Sequence, residues 1–258
     1  MKTDMNSDHQ PYRNSVMIAL CLAALVAAQQ ASAAIALDRT RVIFNGNEQS
    51  VTLAVSNQNK ELPYLAQAWV EDENGNKIES PLAALPPLQR VEPGAKSQVK
   101  VQATSGIHML AQDRESLFYF NLREIPPKST KPNTLQIALQ TRVKLFYRPE
   151  SIALTRADQA TPYQQKITLS HQGDKYVVNN PTPYFVTIAS AAPSLQVDGL
   201  KSFTPMMVAP KSSAALNVSA SSLGTSPVLT YINDYGGRPK LLFGCAGTTC
   251  SVKGSKAG

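Results

Sequence analysis

The chain has 258 residues, and 25 Lys and Arg against 18 Asp and Glu give it a formal charge of +7. The basic residues are dispersed, and no helix-turn-helix or RNA-binding signature occurs, which argues against nucleic acid as the partner. A mild excess spread in this way is a solvated surface, compatible with an acidic partner.

Lys2 and Arg13 precede an apolar run from Val16 to Ala28, and Ala31-Ser32-Ala33 supplies a small-x-small cleavage site. Residues 1–33 therefore read as an export signal, and the mature chain is expected to begin at Ala34. Gln29-Gln30 end the run short of the ~20 apolar residues that a membrane span requires. Cys21 follows Leu20, not a small residue, which argues against a lipid anchor, and it leaves with the signal. Two basic and two acidic residues leave too, so the net charge does not change.

From Ala34 onward, short alternating segments are separated by turn chemistry, the pattern of an all-β fold. The first half is expected to hold strands at Arg41–Phe44, Val51–Ser56, Leu65–Glu71, Ser97–Ala103, Leu117–Glu124 and Leu135–Tyr147. Asn45-Gly46, Glu73-Asn74-Gly75, Pro86-Pro87, Pro93-Gly94 and Pro126-Pro127 break them. Trp69 is expected in the core, the usual place of a lone Trp in a sandwich.

Arg148-Pro149-Glu150-Ser151 interrupts the pattern. A second set is expected at Lys166–Ser170, Lys175–Asn179, Tyr184–Ala189, Ala214–Ser219, Val228–Asn233 and Lys240–Phe243. The halves 34–150 and 151–258 each match the roughly 100 residues of an immunoglobulin-like sandwich. In an oxidising compartment, Cys245 and Cys250 form a short staple, because two thiols with no His nearby fall short of a structural zinc's four ligands. The terminal Ser-Val-Lys-Gly-Ser-Lys-Ala-Gly is polar and reads as flexible.

Leu135–Arg148 (LQIALQTRVKLFYR) is the most informative stretch. Leu135, Ile137, Leu139, Thr141, Val143 and Leu145 share one parity, while Gln136, Gln140, Arg142 and Lys144 share the other. Such a strand either covers its own core or offers an apolar row and unpaired backbone to another chain. Enzyme chemistry finds little support, since the mature histidines, His108 and His171, fall in different predicted domains with no nucleophile motif beside either. No cofactor or metal motif is present.

Leu110–Pro126 (LAQDRESLFYFNLREIP), taken with Leu135–Pro149, resembles the periplasmic chaperones of the chaperone-usher pilus pathway. The resemblance extends to the mature start AIALDRTRVIFNG, to LPYLAQAW at Leu62–Trp69, to NPTPYFVTI at Asn180–Ile188 and to YINDYGGRP at Tyr231–Pro239. It implies two immunoglobulin-like domains in a boomerang with a cleft between them, acting in the periplasm. The partners it implies are pilus subunits that lack their final strand and the outer-membrane usher, and it also admits a second copy that caps the free protein as a homodimer.

By motif position, Leu135, Ile137 and Leu139 enter the subunit's open groove, and Arg41 with Lys144 grips the subunit's terminal carboxylate. Glu115, Arg148 and Asp234 match a charge network that sets the angle between the domains. Arg142 stands where close relatives often have Lys, outside the gripping pair. The short Pro126–Asn133 connection resembles the branch that builds thick rod-like pili. A secreted adhesin or pilus structural subunit is the alternative, distinguished by an alternating apolar tail that this chain lacks.

Overall fold

The computed structural model describes residues 33–258 except 156, 157 and 159, so the expected export signal lies outside the described residues. Strands β1 (Ile35–Leu37), β2 (Arg41–Asn45), β3 (Ser50–Asn57), β4 (Tyr64–Glu71) and β5 (Lys77–Ile78) open the first sandwich. It continues with β6 (Leu82–Leu85), β7 (Leu88–Val91), β8 (Lys96–Ala103), β9 (Ser116–Ile125) and β10 (Gln140–Arg148). One sheet runs β1-β3-β8-β6 and the other β2-β10-β9-β4-β5, with β7 also paired to β4.

Period-two alternation puts Leu53, Val55, Val99 and Val101 of the first sheet against Val42, Phe44, Val70 and Phe120 of the second, all essentially fully buried. The Pro86-Pro87 pair, expected as a break, is where the chain changes sheets: β6 before it pairs with β8, and β7 after it pairs with β4. Prolines cannot donate to a ladder, so they tolerate the crossing.

Trp69 corrects the expectation that it lies in the core. Ala66, Ala68 and Val70 are the buried parity of β4, which leaves Trp69 on the outer face. Its ring is covered by Arg123, whose guanidinium carbon lies 5.1 Å from the centroid, and its Nε1–H donates to Glu71 Oε1 at 2.9 Å.

The second sandwich comprises β11 (Thr168–Gln172), β12 (Lys175–Asn180), β13 (Val186–Ala192), β14 (Met206–Val208), β15 (Ser212–Ser219), β16 (Val228–Ile232), β17 (Lys240–Ala246) and β18 (Thr249–Lys256). They hydrogen-bond in the order β14-β13-β16-β17-β18-β11-β12-β15 around a separate core that includes Ile167, Leu169, Ile188, Leu216 and Leu229. A Cys245–Cys250 disulfide joins the β17–β18 hairpin at directly opposed positions.

The C-terminal tail is a second correction. Far from being flexible, Thr249–Lys256 is a strand paired along its length with β17 and, at Thr249–Ser251, with β11 as well. Its polar composition reflects the half-buried position it fills, and its partners supply the order that its own propensity lacks.

Candidate functional site

Strand β10 organises the site. Its odd residues Val143, Leu145 and Tyr147 enter the first core, so Lys144, Phe146 and Arg148 lie on the outer face. The odd series continues upstream as Leu135, Ile137 and Leu139, but these are 85%, 65% and 40% exposed.

The expected strand from Leu135 therefore begins only at Gln140, and Leu135–Leu139 forms no ladder. A single backbone bond, Glu124 N–H to Leu139 O at 3.0 Å, ties its end to β9. The cause is the loss of pairing to β9, whose register with β10 ends at Arg123–Gln140. β2 joins β10 in parallel only from the Arg41–Lys144 pair onward, so Gln140–Val143 is paired on the β9 side alone. An apolar row and an open backbone edge thus run together for nine residues and stop at Lys144, the arrangement that accepts an added strand.

Because Ile137 is exposed in the free protein, Ile137→Ser is expected to leave its melting temperature unchanged, within the roughly ±0.5 kcal/mol of ordinary surface substitutions. A drop beyond that would mean Ile137 is packed on its own domain.

Arg41 and Lys144 are register partners on adjacent strands, so both basic side chains leave the same face. Arg41 is only 8% exposed; its Nη1 donates to the Ile232 carbonyl of the second sandwich at 3.2 Å, and its Nε is buried without an acceptor. Lys144 is partly buried and has no hydrogen-bond or ion-pair partner among the described residues. Burial, and then the charge of Arg41, pushes the Lys144 ammonium below the usual lysine range. Two partly desolvated cations with unused N–H groups form an anion site suited to the two oxygens of a carboxylate.

A cavity of about 690 Å3 opens beside Arg41, walled also by Arg39, Tyr163, Asp234 and Tyr235; Lys144 is not part of its wall. The pair expected to grip a carboxylate is thus brought together by strand register, with Arg41 alone of the two facing the cavity.

The three residues of the expected charge network also meet. Arg148 Nε donates to Glu115 Oε1 at 2.9 Å, with Nη2 2.8 Å from the same oxygen, and Nη1 donates to Asp234 Oδ2 at 2.9 Å. The remaining oxygens are used as well. Glu115 Oε2 accepts the Phe185 N–H at 2.8 Å, and Asp234 Oδ1 accepts the Tyr163 hydroxyl at 3.4 Å.

Residues absent from the sequence reading complete this junction: Phe146 packs on Phe185 with centroids 5.5 Å apart, and Arg148 lies 5.0 Å from the Tyr184 centroid. Tyr184 and Phe185 figured in the sequence only within the NPTPYFVTI motif and the expected Tyr184–Ala189 strand, neither of which signals which partner they face. Exposed Asp113 and Lys211 form a further link at 2.6 Å.

Burial dominates at Glu115 and pushes its carboxyl up to about 7, against the pull of Arg148 and of the Phe185 N–H. Burial also disfavours the charged Arg148, but Glu115 and Asp234 outweigh it and hold the guanidinium above its usual range. An unfolded Glu titrates near 4.5. The folded state therefore holds this proton more tightly, and the associated stability is complete below pH 4.5 and lost as pH rises through about 7. The melting temperature of the natural protein relative to Glu115→Gln, which does not titrate, is expected to fall between pH 5 and pH 8. A constant or rising difference would overturn this.

Residues 34–153 match the family described as pili and flagellar-assembly chaperone, PapD N-terminal domain, and residues 162–243 match the pili assembly chaperone PapD, C-terminal domain. The chain belongs to the PapD family of pilus chaperones.

Among PapD-family relatives, it is 52% identical over 227 residues to the Escherichia coli chaperone protein PapD, covering 88% of this chain and 92% of that one. It is 50% identical over 236 residues to the probable fimbrial chaperone YfcS of Escherichia coli K12, covering 91% and 92%. A solved structure of the periplasmic chaperone SfaE superposes with a TM-score of 0.63 at 28% identity, over 81% of this chain and 98% of that one. The SafB chaperone in complex with the Salmonella enterica SafA pilin gives 0.64 at 27%, over 81% and 95%. These similarities agree with the two β-sandwich domains found here.

In this PapD-family chain Arg142 donates to Glu71 at 2.8 Å and stacks 3.4 Å from the Tyr119 centroid. It is engaged within its own sheet, two residues before Lys144.

Proposed function

We propose that this protein is a periplasmic chaperone that holds incomplete pilus subunits on the open edge of β10 and passes them to the outer-membrane usher. The observation that carries the reading is the exposed row Leu135, Ile137 and Leu139, which continues the core face of β10 and ends at the Arg41–Lys144 pair. A subunit lacking its last strand can take the row into its groove, pair its backbone along the open edge, and place its terminal carboxylate between the two cations.

The role is one of binding and folding, not catalysis. The chaperone domain comprises residues 34–150 and the second domain residues 151–258, with Glu115, Arg148 and Asp234 fixing their angle. In the absence of a subunit, the same apolar row suits a second copy, which gives a capped homodimer.

The direct test is co-expression with a pilin whose C-terminal carboxylate is intact, followed by isolation of periplasmic complexes. A one-to-one complex is the expected result. An adhesin or a pilus structural subunit would not form one, and its absence with every pilin of the same assembly system would overturn the proposal.

A further inference from the structure

Glu124 lies on the core-facing parity of β9 and is only 5% exposed, yet among the described residues no Lys, Arg or His nitrogen lies within the 4.0 Å of an ion pair. A buried carboxylate without a cation is costly. Among the described residues its one side-chain hydrogen bond is to the start of the folded chain: Oε2 accepts the Ile35 N–H at 2.9 Å. Ionised carboxylates accept at two oxygens, so acceptor capacity remains.

Ala34 is positioned by its surroundings. It is 8% exposed, its carbonyl accepts the Gln58 N–H at 2.6 Å, and Ile35 pairs with Asn57 as β1 begins. Its nitrogen is one residue from the N–H that Glu124 already holds, a step of ~3.8 Å between Cα atoms.

We propose that Glu124 is the receiving site for the chain's own α-ammonium, created at Ala34 when the export signal is removed. This rests on cleavage after Ala33. Water adds across the Ala33–Ala34 peptide bond, leaving a carboxylate on Ala33 and a protonated amine on Ala34. A neutral amide N–H in the uncut chain thereby becomes a cation beside a carboxyl side chain that no Lys, Arg or His pairs among the described residues.

Glu124 makes this event matter to the binding edge, because its backbone N–H also holds the carbonyl of Leu139, the last residue of the apolar row. One residue thus ties the processed terminus to the base of the donor segment, and only the processed chain completes the ion pair.

The test uses the mature protein purified from the periplasm and needs no pilin, so its outcome is separate from that of subunit capture. Intact mass locates the first residue, and NMR titration of isotopically labelled alanine follows the α-amine. Expected is a chain beginning at Ala34 whose α-amine titrates at least one unit above its ordinary ~7.7–8.0, a tenfold or greater preference for the charged form. In Glu124→Gln that elevation should disappear. A first residue other than Ala34, or an α-amine with its ordinary value in the natural protein, overturns the proposal. The second result would leave Glu124 as a plain acceptor for Ile35. Both readouts on the unmutated protein stand even if the variant fails to fold.

Discussion

Replacing Lys144 with alanine is expected to abolish isolation of subunit complexes while leaving the chaperone's own melting temperature unchanged or slightly raised. Lys144 makes no hydrogen bond or ion pair among the described residues, and its ammonium is partly desolvated beside Arg41. Removing it from the free protein therefore removes a repulsion and no attraction. In the proposed complex, the same change leaves a carboxylate facing a half-empty site, a loss of about 2–5 kcal/mol for one partner of a buried charge pair.

The apolar row supplies more in total, since three buried aliphatic side chains at about 1.5–3 kcal/mol each give ~5–9 kcal/mol before ordering costs. On the proposed reading, the anion site nonetheless controls capture because it sets register. A slip by one residue would turn every apolar side chain of the row out of the groove.

Arg41→Ala should also abolish capture, but with some loss of stability, because Arg41 donates to the Ile232 carbonyl across to the second sandwich. The two variants thus differ in the free protein and agree in the complex. A Lys144→Ala protein that still yields subunit complexes in normal amounts would refute the assignment of the anion site.

Part of this arrangement was legible because Leu135–Leu145 alternates, which marked one apolar face, and because the family motifs named Arg41 and Lys144, which lie on adjacent strands, and Glu115, Arg148 and Asp234, which meet in ion pairs. What alternation could not reveal was where the strand ends. Leu135–Leu139 has the pattern of Val143 and Leu145, but whether such residues form a strand depends on the neighbour, and the ladder with β9 ends at the Arg123–Gln140 pair.

Trp69 misled for a related reason. Both parities of β4 carry apolar residues, and the small Ala66 and Ala68 took the core while the larger ring found cover under Arg123. The terminal Thr249–Lys256 strand was hidden by its Ser, Gly and Lys content, because its order comes from pairing with β17 and β11 and not from local preference. The aromatic half of the domain junction, Tyr163, Tyr184 and Phe185, was equally silent, since nothing in an aromatic's sequence position names the arginine it will cover.

Arg148→Ala should give the largest loss of stability. It removes the only cation that Glu115 and Asp234 contact in ion-pair geometry among the described residues, while the Glu115 side chain stays 1% exposed. Breaking a buried pair from one side costs about 3–5 kcal/mol. At about 2–4 °C per kcal/mol for a chain of this size, the melting temperature should drop by roughly 6–20 °C.

The loss has a defined pH dependence. Glu115 is already raised to about 7 by burial with Arg148 present, and removing the guanidinium raises it further. The stranded carboxyl can then escape its penalty by protonating, so the defect is smaller at pH 5 than at pH 8. Adding Glu115→Gln to Arg148→Ala should recover part of the loss at pH 8 and little at pH 5, since the amide cannot carry the stranded charge.

On the proposed role of the network, subunit capture should fall as well, because Arg41 of the anion site is anchored across to the second sandwich at the Ile232 carbonyl. A single Arg148→Ala protein with unchanged melting at pH 8 would show that the network, although buried, does not hold the two sandwiches together.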